Sequence, residues 1–440
     1  MLPLYTFYGD DFTGSTDVLE QLAANGVQST LFLAPPTAPQ LDSFPGLQAF
    51  GIAGDSRSRP PAWMSRYLPS LFASLRSFHA PIIHYKVCST FDSSPMHGSI
   101  GRAIELGIEA FHPRFVPIVV GSPHLRRFVF EGRLFASAPD GTIHRIDRHP
   151  MSRHPVTPMR EPDLRRHLQK QTTLSIGHIS HAELHTNAST AEALERELSV
   201  GVRAVLFDTI DSHSLVNTTD QLWRSALEQP LFCAASSGLT AGLISTWRKQ
   251  GILQTQIFSP TFDSVSPLLV ISGSCSVATS RQIDWASRNG FHTIHADPTK
   301  LLDRFRGERY RDSLIHRLTT ILDRGEDAVL YTSLFSSPSE FAGEALGTTL
   351  GLTLCRLLAT TSISRVVLCG GDTSSHAVQQ LGILALTWKA SLQTGAPLCQ
   401  VHFHDCQTRP FELVLKGGQV GTEDFFAAAK GVKPASSRAT

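Results

Sequence analysis

Short apolar runs alternate along this chain with Gly/Ser/Asp turns and amphipathic stretches. Residues 4–8 read as a strand, followed by Gly9, Asp10 and Asp11. A helix is predicted from about Ser15 to the stop signal Asn25-Gly26. Further strands are predicted at 30–33, 48–53, 82–86, 115–120, 175–179 and 204–207, with helices around 99–111, 191–198 and 221–227. Strands alternating with helices imply βα units and a largely parallel sheet. A polar, proline-containing segment at 254–267 suits a linker. Beyond it the pattern resumes: a strand at 268–271, a helix to about Arg288 stopped by Asn289-Gly290, strands at 328–332 and 365–369, and a long apolar helix at 339–358 between them. The expectation is an α/β chain of two domains, 1–250 and 251–430, each a mainly parallel sheet flanked by helices, with a disordered tail at 431–440.

Residues 143–162 break the alternation, being rich in Pro, Arg and His. They read as a long surface excursion, either a lid or binding loop or a solvated connector.

Composition narrows the function classes. The 440 residues carry 39 Lys and Arg against 38 Asp and Glu, so no global field exists to hold nucleic acid or an anionic membrane. Any anion must be held by local amides and a few cations. Seven scattered cysteines without a C-x-x-C argue against a disulfide scaffold or zinc finger and fit a reducing, cytoplasmic setting. No secretion signal and no run of eighteen apolar residues is read. Asn187 and Asn217 form sequons without consequence in such a setting.

Five constellations carry candidate chemistry. Gly9-Asp10-Asp11-Phe12-Thr13-Gly14 closes the first strand, where open α/β sheets bind ligands. Its paired carboxylates suit substrate hydroxyls, a magnesium ion or a base toward a hydroxyl, and equally a helix-capping turn. Lys86 with Cys88, Ser89, Thr90, Asp92, Ser93 and Ser94 gives one cation and several hydroxyls, a set that suits a carboxylate or phosphate. Gly98-Ser99-Ile100-Gly101 then opens a helix whose amides favour anions. Three Gly-rich loops sit in the second domain: Ser272-Gly273-Ser274-Cys275-Ser276, Gly370-Gly371-Asp372-Thr373 and Lys416-Gly417-Gly418-Gln419-Val420-Gly421. Small residues let backbone approach phosphate, and three such loops in one domain point to a nucleotide site. The Walker, dinucleotide, H-E-x-x-H and G-x-S-x-G motifs are absent. His402-Phe403-His404-Asp405-Cys406 reads as a strand with alternating histidines rather than a metal cluster, and His181 and His185 as surface or packing residues.

In this order the motifs resemble the four-carbon acid sugar kinases. The resemblance rests on GDDFTGSTD (9–17), YKVCSTFDSSP (85–95), RHPVTPM (153–159), SGSCSVATSRQI (272–283), GGDTSSHA (370–377) and LKGGQVGTEDFF (415–426). It implies an N-terminal substrate domain, a C-terminal nucleotide domain and phosphoryl transfer in the cleft between them. The CSTFDSS form resembles the 3-oxo-tetronate kinases, where threonate and erythronate kinases carry a DSTLRGN-like segment. The last motif departs from the family's KSGNFG, which bears on nucleotide affinity more than on reaction type.

The resemblance implies ATP-dependent phosphorylation of the 4-hydroxyl of a 3-oxo four-carbon acid, with D-threonate or D-erythronate as the alternative acceptors. Asp10, Asp11, Thr13, Lys86, Ser89 and Thr90 would hold the acid, with Asp11 or Asp10 orienting or deprotonating the hydroxyl. Ser274, Ser276, Gly370, Gly371, Asp372, Thr373, Gly418 and Gly421 would hold ATP with Mg2+. The partners expected are the acid sugar and ATP, without nucleic acid or membrane; a homodimer is left open. The rivals are an oxidoreductase, which thermal shifts with NAD against ATP would separate, and a non-catalytic acid-sugar sensor.

Overall fold

A computed structural model describes residues 3–138, 141–153, 157–254, 262–274, 276–333, 343–404 and 409–431. The chain divides into two compact units, Met1–Phe258 and Ser259–Thr440.

The first unit holds strands β1 (Tyr5–Gly9), β2 (Ser29–Phe32), β3 (Ala49–Ala53), β4 (Ile82–Lys86), β5 (Val116–Val119), β6 (Arg127–Phe130), β7 (Arg133–Ser137), β8 (Ile143–Arg145), β9 (Ile176–Ile179), β10 (Ala204–Phe207) and β11 (Leu231–Ala235). Its helices are α1 (Phe12–Ala23), α2 (Ala38–Asp42), α3 (Pro61–Arg76), α4 (Ile100–Phe111), α5 (Leu164–Gln169), α6 (Asn187–Ser199), α7 (Ser212–Glu228) and α8 (Ser237–Lys249). Its main sheet runs β2-β3-β1-β4-β11-β5-β10-β9, all parallel. The central strands are buried on both faces, which is why they read as near-continuous apolar runs. His84 is the exception inside β4. Its Nε2 is 2.7 Å from Ala235 O and its Nδ1 is hydrogen-bonded to Tyr5 Oη, while burial pushes its pKa down to about 3. It is a neutral core histidine that ties β1, β4 and β11 together.

The pattern did not predict a second sheet, the antiparallel β6-β7-β8. Glu131 and Gly132 turn β6 into β7, both with positive φ. The completely buried Asp208 fixes this turn, accepting from Glu131 N at 2.8 Å and Gly132 N at 2.9 Å. The expected surface excursion at 143–162 is corrected in the same region. It opens as β8 and buries Ile146, Thr157 and Met159, which a solvated connector leaves exposed. Residues 154–156 of that motif lie outside the described residues.

The second unit holds β12 (Leu269–Ser272), β13 (His292–His295), β14 (Ala328–Tyr331), β15 (Arg365–Cys369), β16 (Ile383–Gln393), β17 (Ala396–Phe403) and β18 (Glu412–Lys416). Its helices are α9 (Val277–Arg288), α10 (Pro298–Leu301), α11 (Gly307–Asp323), α12 (Glu344–Thr360), α13 (Gly371–Val378) and α14 (Phe425–Lys430). The parallel strands run β13-β14-β12-β15-β18, and β17 and β16 extend the sheet antiparallel beyond β18. A buried ion pair sits at the foot of β15. The Arg365 Nε donates to Glu412 Oε2 at 2.6 Å, and its two terminal nitrogens donate to Ala429 O and Asp263 O at 2.8 Å each. Every nitrogen of the buried guanidinium thus has an acceptor, the condition under which such a pair is tolerated.

Helix α1 starts at Phe12 rather than Ser15 because Asp11 caps it. The helix expected at 339–358 begins at Glu344, with residues 334–342 outside the description. Residues 255–261 of the expected linker, Cys275, Asp405, Cys406 and the tail from residue 432 are likewise outside it. His402 Nε2 is 2.8 Å from Thr387 Oγ1 on the paired strand. His181 and His185 lie on no common helix; their ring centroids are 5.4 Å apart. Among the described residues, no helix is long and apolar enough to cross a membrane.

Candidate active site

In the first unit the site grows from three neighbouring parallel strands. Gly9 of β1 is in register with Ala53 of β3 and Lys86 of β4, so the segments following these strands meet at one edge. Asp10 joins them: its N–H donates to Lys86 O at 2.9 Å, and its carbonyl accepts from Arg57 N at 3.0 Å. Asp11 caps α1, accepting from Gly14 N at 2.9 Å and from Thr13 Oγ1 at 2.6 Å.

Arg57 is the residue that sequence reasoning missed. Its Nη2 donates to Asp10 Oδ1 at 2.7 Å and to Asp11 Oδ1 at 2.9 Å. Its Nη1 reaches Asp11 Oδ2 at 3.0 Å, and its Nε lies 3.3 Å from Asp10 Oδ2. One planar fork thus binds both carboxylates. Burial pushes the Asp10 carboxyl up to about 6, against the pull of Arg57. Burial works against the guanidinium's charge too, but Asp10 and Asp11 hold it more firmly protonated than usual. The turn carrying Arg57 is braced from below. Ser56 Oγ is 2.9 Å from Tyr85 Oη, and Gly98, with φ of +58°, lies so close that a Cβ would fall 2.5 Å from Arg57 O. The available signal was Asp55-Ser56-Arg57-Ser58-Arg59, a small-residue turn following a strand as Gly9–Gly14 does.

Lys86 is buried at the end of β4. A Cβ on Gly14 would fall 2.8 Å from its Nζ and 2.4 Å from Asp11 Oδ1, so only glycine leaves both groups in place. In the next turn Thr90 Oγ1 donates to Asp92 Oδ1 at 2.5 Å and lies 3.0 Å from Cys88 Sγ. Burial pushes the Cys88 thiol up to about 11, so it is neutral. Ser89 is half-buried beside it. Asp92 Oδ2 completes the cluster 3.9 Å from Arg57 Nη1. Asp10, Asp11, Thr13, Lys86, Ser89 and Thr90 therefore occupy one edge, where three carboxylates face two cations.

In the second unit the three loops likewise leave neighbouring strands. Ser272 is in register with Cys369, and Cys369 with Lys416. Gly273 N donates to Cys369 O at 3.2 Å and Gly370 N to Lys416 O at 2.9 Å. Thr279 Oγ1 donates to Gly418 O at 3.0 Å, and Ser276 Oγ donates to the same carbonyl. Ser276 caps α9, and Ser274 Oγ is 3.2 Å from Ser276 Oγ. Glycine is required where the loops touch. Added Cβ atoms would fall 2.2 Å from Thr373 Oγ1 at Gly273 and 2.8 Å from Ser274 Oγ at Gly418. Gly370 caps α13 with φ of +108°, a conformation side chains rarely adopt. Gly371 begins that helix, and Thr373 lies in its first turn. Bare backbone beside two helix amino ends fits a polyphosphate. The side chain of Asp372 lies outside what is described.

Gly421 has other neighbours, with φ of +97°. A Cβ there would meet Phe425 at 2.6 Å, so it serves the turn into α14. Lys416 is not a free phosphate cation either. Its Nζ donates to Thr279 Oγ1, Gly417 O and Val420 O at 3.1, 3.0 and 3.1 Å, which uses all three N–H groups. The departures from KSGNFG fall at Gly417, where a Cβ has 3.4 Å of room, at exposed Gln419 and at half-buried Val420. The backbone at Gly418 is untouched by them.

Residues 5–243 match a family described as a sugar-binding N-terminal domain, and residues 269–426 one described as a nucleotide-binding C-terminal domain. A Paraburkholderia graminis protein named 3-oxo-isoapionate kinase is 40% identical over 97% of this chain and 94% of its own. A Cupriavidus necator protein named 3-oxo-tetronate kinase is 29% identical over 97% of this chain and 96% of its own. A crystal structure from Salmonella typhimurium, carrying a tRNA synthase name, superposes with a TM-score of 0.78 at 25% identity, covering 98% of this chain and 99% of its own. With both halves matched and a 40% identical relative spanning nearly the whole length, this chain belongs to the four-carbon acid sugar kinase family.

Proposed function

We propose that this protein is an ATP-dependent kinase that phosphorylates the terminal hydroxyl of a 3-oxo four-carbon acid sugar, 3-oxo-tetronate in the first instance. One observation carries the reading: each unit gathers candidate groups at the carboxyl edge of its parallel strands. The first gathers carboxylates and cations, the second bare backbone between glycines and serines. The names of several relatives support the substrate class. The 40% identical relative favours a second reading, 3-oxo-isoapionate, in which the same reaction acts on a different 3-oxo acid.

Phosphoryl transfer needs positioning and charge neutralisation above all. Lys86, Ser89, Thr90 and Thr13 would hold the acid beside Asp10 and Asp11. Between the two aspartates the geometry favours Asp10 as the group that takes the hydroxyl proton. Both Asp11 oxygens are engaged by the α1 cap and Arg57, whereas Asp10 is held by Arg57 alone on its side chain and titrates at about 6. Arg57 orients Asp10. Gly273, Ser274, Ser276, Gly370, Gly371, Thr373 and Gly418 would cradle the ATP phosphates through backbone and hydroxyl groups. Magnesium bound with ATP supplies neutralising charge on the transferred group, needing only one or two protein ligands besides the phosphates. No cluster of three ligating side chains exists among the described residues. Action in the cytoplasm, where ATP is available, fits the free cysteines.

The test is ADP release with ATP and magnesium against 3-oxo-tetronate generated in situ, 3-oxo-isoapionate, D-threonate, L-threonate and D-erythronate. Turnover confined to 3-oxo acids is expected, and the preferred one decides between the two readings. Turnover with a plain tetronate alone overturns the 3-oxo assignment. Folded protein that releases no ADP with any of them overturns the kinase.

A further inference from the structure

The edge that carries Lys86 continues past the aspartates. Lys86 is in register with Ala235 of β11, and Ala235 with Val119 of β5. The segments leaving β11 and β5 therefore lie beside the acid loop. Ser236 caps the 13-residue helix α8, and the turn from Ser122 to Arg127 follows β5.

That turn closes on itself: Ser122 N donates to Arg127 O at 2.8 Å, and Arg127 N to Ser122 O at 3.1 Å. Residues opposed in this way project their side chains to one face. Ser122 Oγ is fully buried and has no hydrogen-bond partner. It faces the first turn of α8, where a Cβ on Gly238 would fall 3.2 Å from it. Ser237, the first residue of that helix, is 1% exposed, and its hydroxyl is also unpartnered.

Arg127 adds the charge. Its Nη1 donates to the carbonyls of Leu125, Arg126 and Ser137 at 3.0, 3.2 and 3.1 Å. Its Nε is buried without a partner, and among the described residues no carboxylate pairs with it. Burial pushes its pKa down, and the one group acting against that is Cys88 of the acid loop, a neutral thiol that supplies no counter-charge near neutral pH. Asp17 of α1 acts on His124 and Tyr5 instead. A partly buried cation without a counter-charge is costly unless something anionic binds it. The opposite end of the site has the reverse balance, with Asp10, Asp11 and Asp92 facing Arg57 and Lys86. Carboxylates there accept from hydroxyls and repel a further anion.

We propose that Arg127, Ser122 and the amino end of α8 at Ser237 bind the carboxylate of the acid substrate, leaving its hydroxyl-bearing end to Asp10 and Asp11. The assignment rests on the sugar-acid kinase reading and adds the direction in which the acid lies. It makes Arg127 a specificity residue: it selects acids over the uncharged ketoses of the same carbon skeleton.

The test compares two ligands that differ only at that group. The KM for 3-oxo-tetronate generated in situ is measured beside the inhibition constant of erythrulose, the ketose with a hydroxymethyl group in place of the carboxylate. In Arg127→Met the KM for the acid should rise about 10- to 100-fold, the worth of a charge-assisted hydrogen bond. The kcat and the erythrulose constant should stay within about twofold, as expected when only ground-state carboxylate binding is lost. Arg127→Lys should recover part of the loss, and Ser122→Ala should show the same split at smaller size. Melting curves accompany each variant; if Arg127→Met does not fold, Arg127→Lys and Ser122→Ala decide. Equal loss for acid and ketose makes the residue structural and overturns the proposal, as does an unchanged KM. A wild-type protein that turns over no 3-oxo acid overturns the kinase reading itself, an outcome distinct from an active wild type with unaffected variants.

Discussion

Arg57 Nη2 stands 2.7 Å from Asp10 Oδ1, and the side chains are 19% and 4% exposed. The guanidinium is what allows adjacent aspartates to be buried at the end of β1. Removing one partner of such an arrangement leaves uncompensated charge, at a cost of roughly 3–5 kcal/mol. Arg57→Gln should therefore lower the melting temperature and cut turnover at least about 100-fold, because Asp10 loses both its orientation and the charge that keeps it ionised. Melting curves and ADP release check the two effects. Full turnover in Arg57→Gln would remove Arg57 from the site.

The Asp10 carboxyl sets a pH signature. Its pKa is raised by burial from 3.8 to about 6. If Asp10 accepts the hydroxyl proton, log kcat/KM should climb with unit slope up to about pH 6 and then level off. Asp10→Asn should abolish that limb along with most activity. Stability follows the same group with a definite sign. The folded carboxyl keeps its proton to a higher pH than the unfolded one, so its contribution is complete below about pH 3.8 and is lost as pH rises through about 6. Between pH 4 and 7 the stability of Asp10→Asn relative to wild type should improve by about 2 kcal/mol, most of the full shift at 1.36 kcal/mol per pKa unit. Denaturant titrations at both ends of that range measure it.

What the sequence disclosed follows from how local each signal is. Buried parallel strands read as apolar runs, and glycines after β12, β15 and β18 marked three loops that leave neighbouring strands before any strand order was known. Arg57 was illegible because it lies 47 residues from Asp10, and only the placement of β3 beside β1 brings it there. Ser236-Ser237-Gly238 had the same grammar as the nucleotide loops, small residues between a strand and a helix, yet lay outside the recognised motifs. The β6-β7-β8 sheet escaped because its strands alternate weakly and its turn is pinned by Asp208, distant in sequence. Gly421, in the last of those motifs, packs against Phe425 at the turn into α14.

The nucleotide cradle is tested where a methyl group has no room. A Cβ on Gly273 would fall 2.2 Å from Thr373 Oγ1, displacing the first turn of α13. Gly273→Ala should raise the KM for ATP at least about tenfold, a loss near 1.4 kcal/mol. Affinity for the acid, measured without nucleotide, should stay within about twofold. Gly417→Ser, at a position with 3.4 Å of room, is the internal control and should leave both constants unchanged. Equal loss of ATP and acid affinity in Gly273→Ala would mean global damage rather than a lost cradle, and unchanged ATP affinity would place the nucleotide elsewhere.

Asp208 couples the small sheet to the large one. It is fully buried and accepts from three main-chain N–H groups, those of Glu131, Gly132 and His181, at 2.8, 2.9 and 3.0 Å, with His178 Nε2 at 2.9 Å as a fourth partner. Asp208→Ala strands three main-chain donors, that of Gly132 buried and those of Glu131 and His181 part-buried, at about 1–3 kcal/mol for a fully buried one before relaxation. A net loss of about 3–4 kcal/mol is expected, partly recovered because the hairpin can open to water. That opening would loosen the strand carrying Arg127, whose backbone pairs with Ser122. Amide exchange should therefore accelerate first in β6 and β7 while β1 and β4 stay protected. Acid affinity should fall in parallel, with ATP affinity unchanged. If exchange instead accelerates uniformly across the first unit, the three-stranded sheet is not a separable element, and Asp208 supports the whole sheet rather than the hairpin.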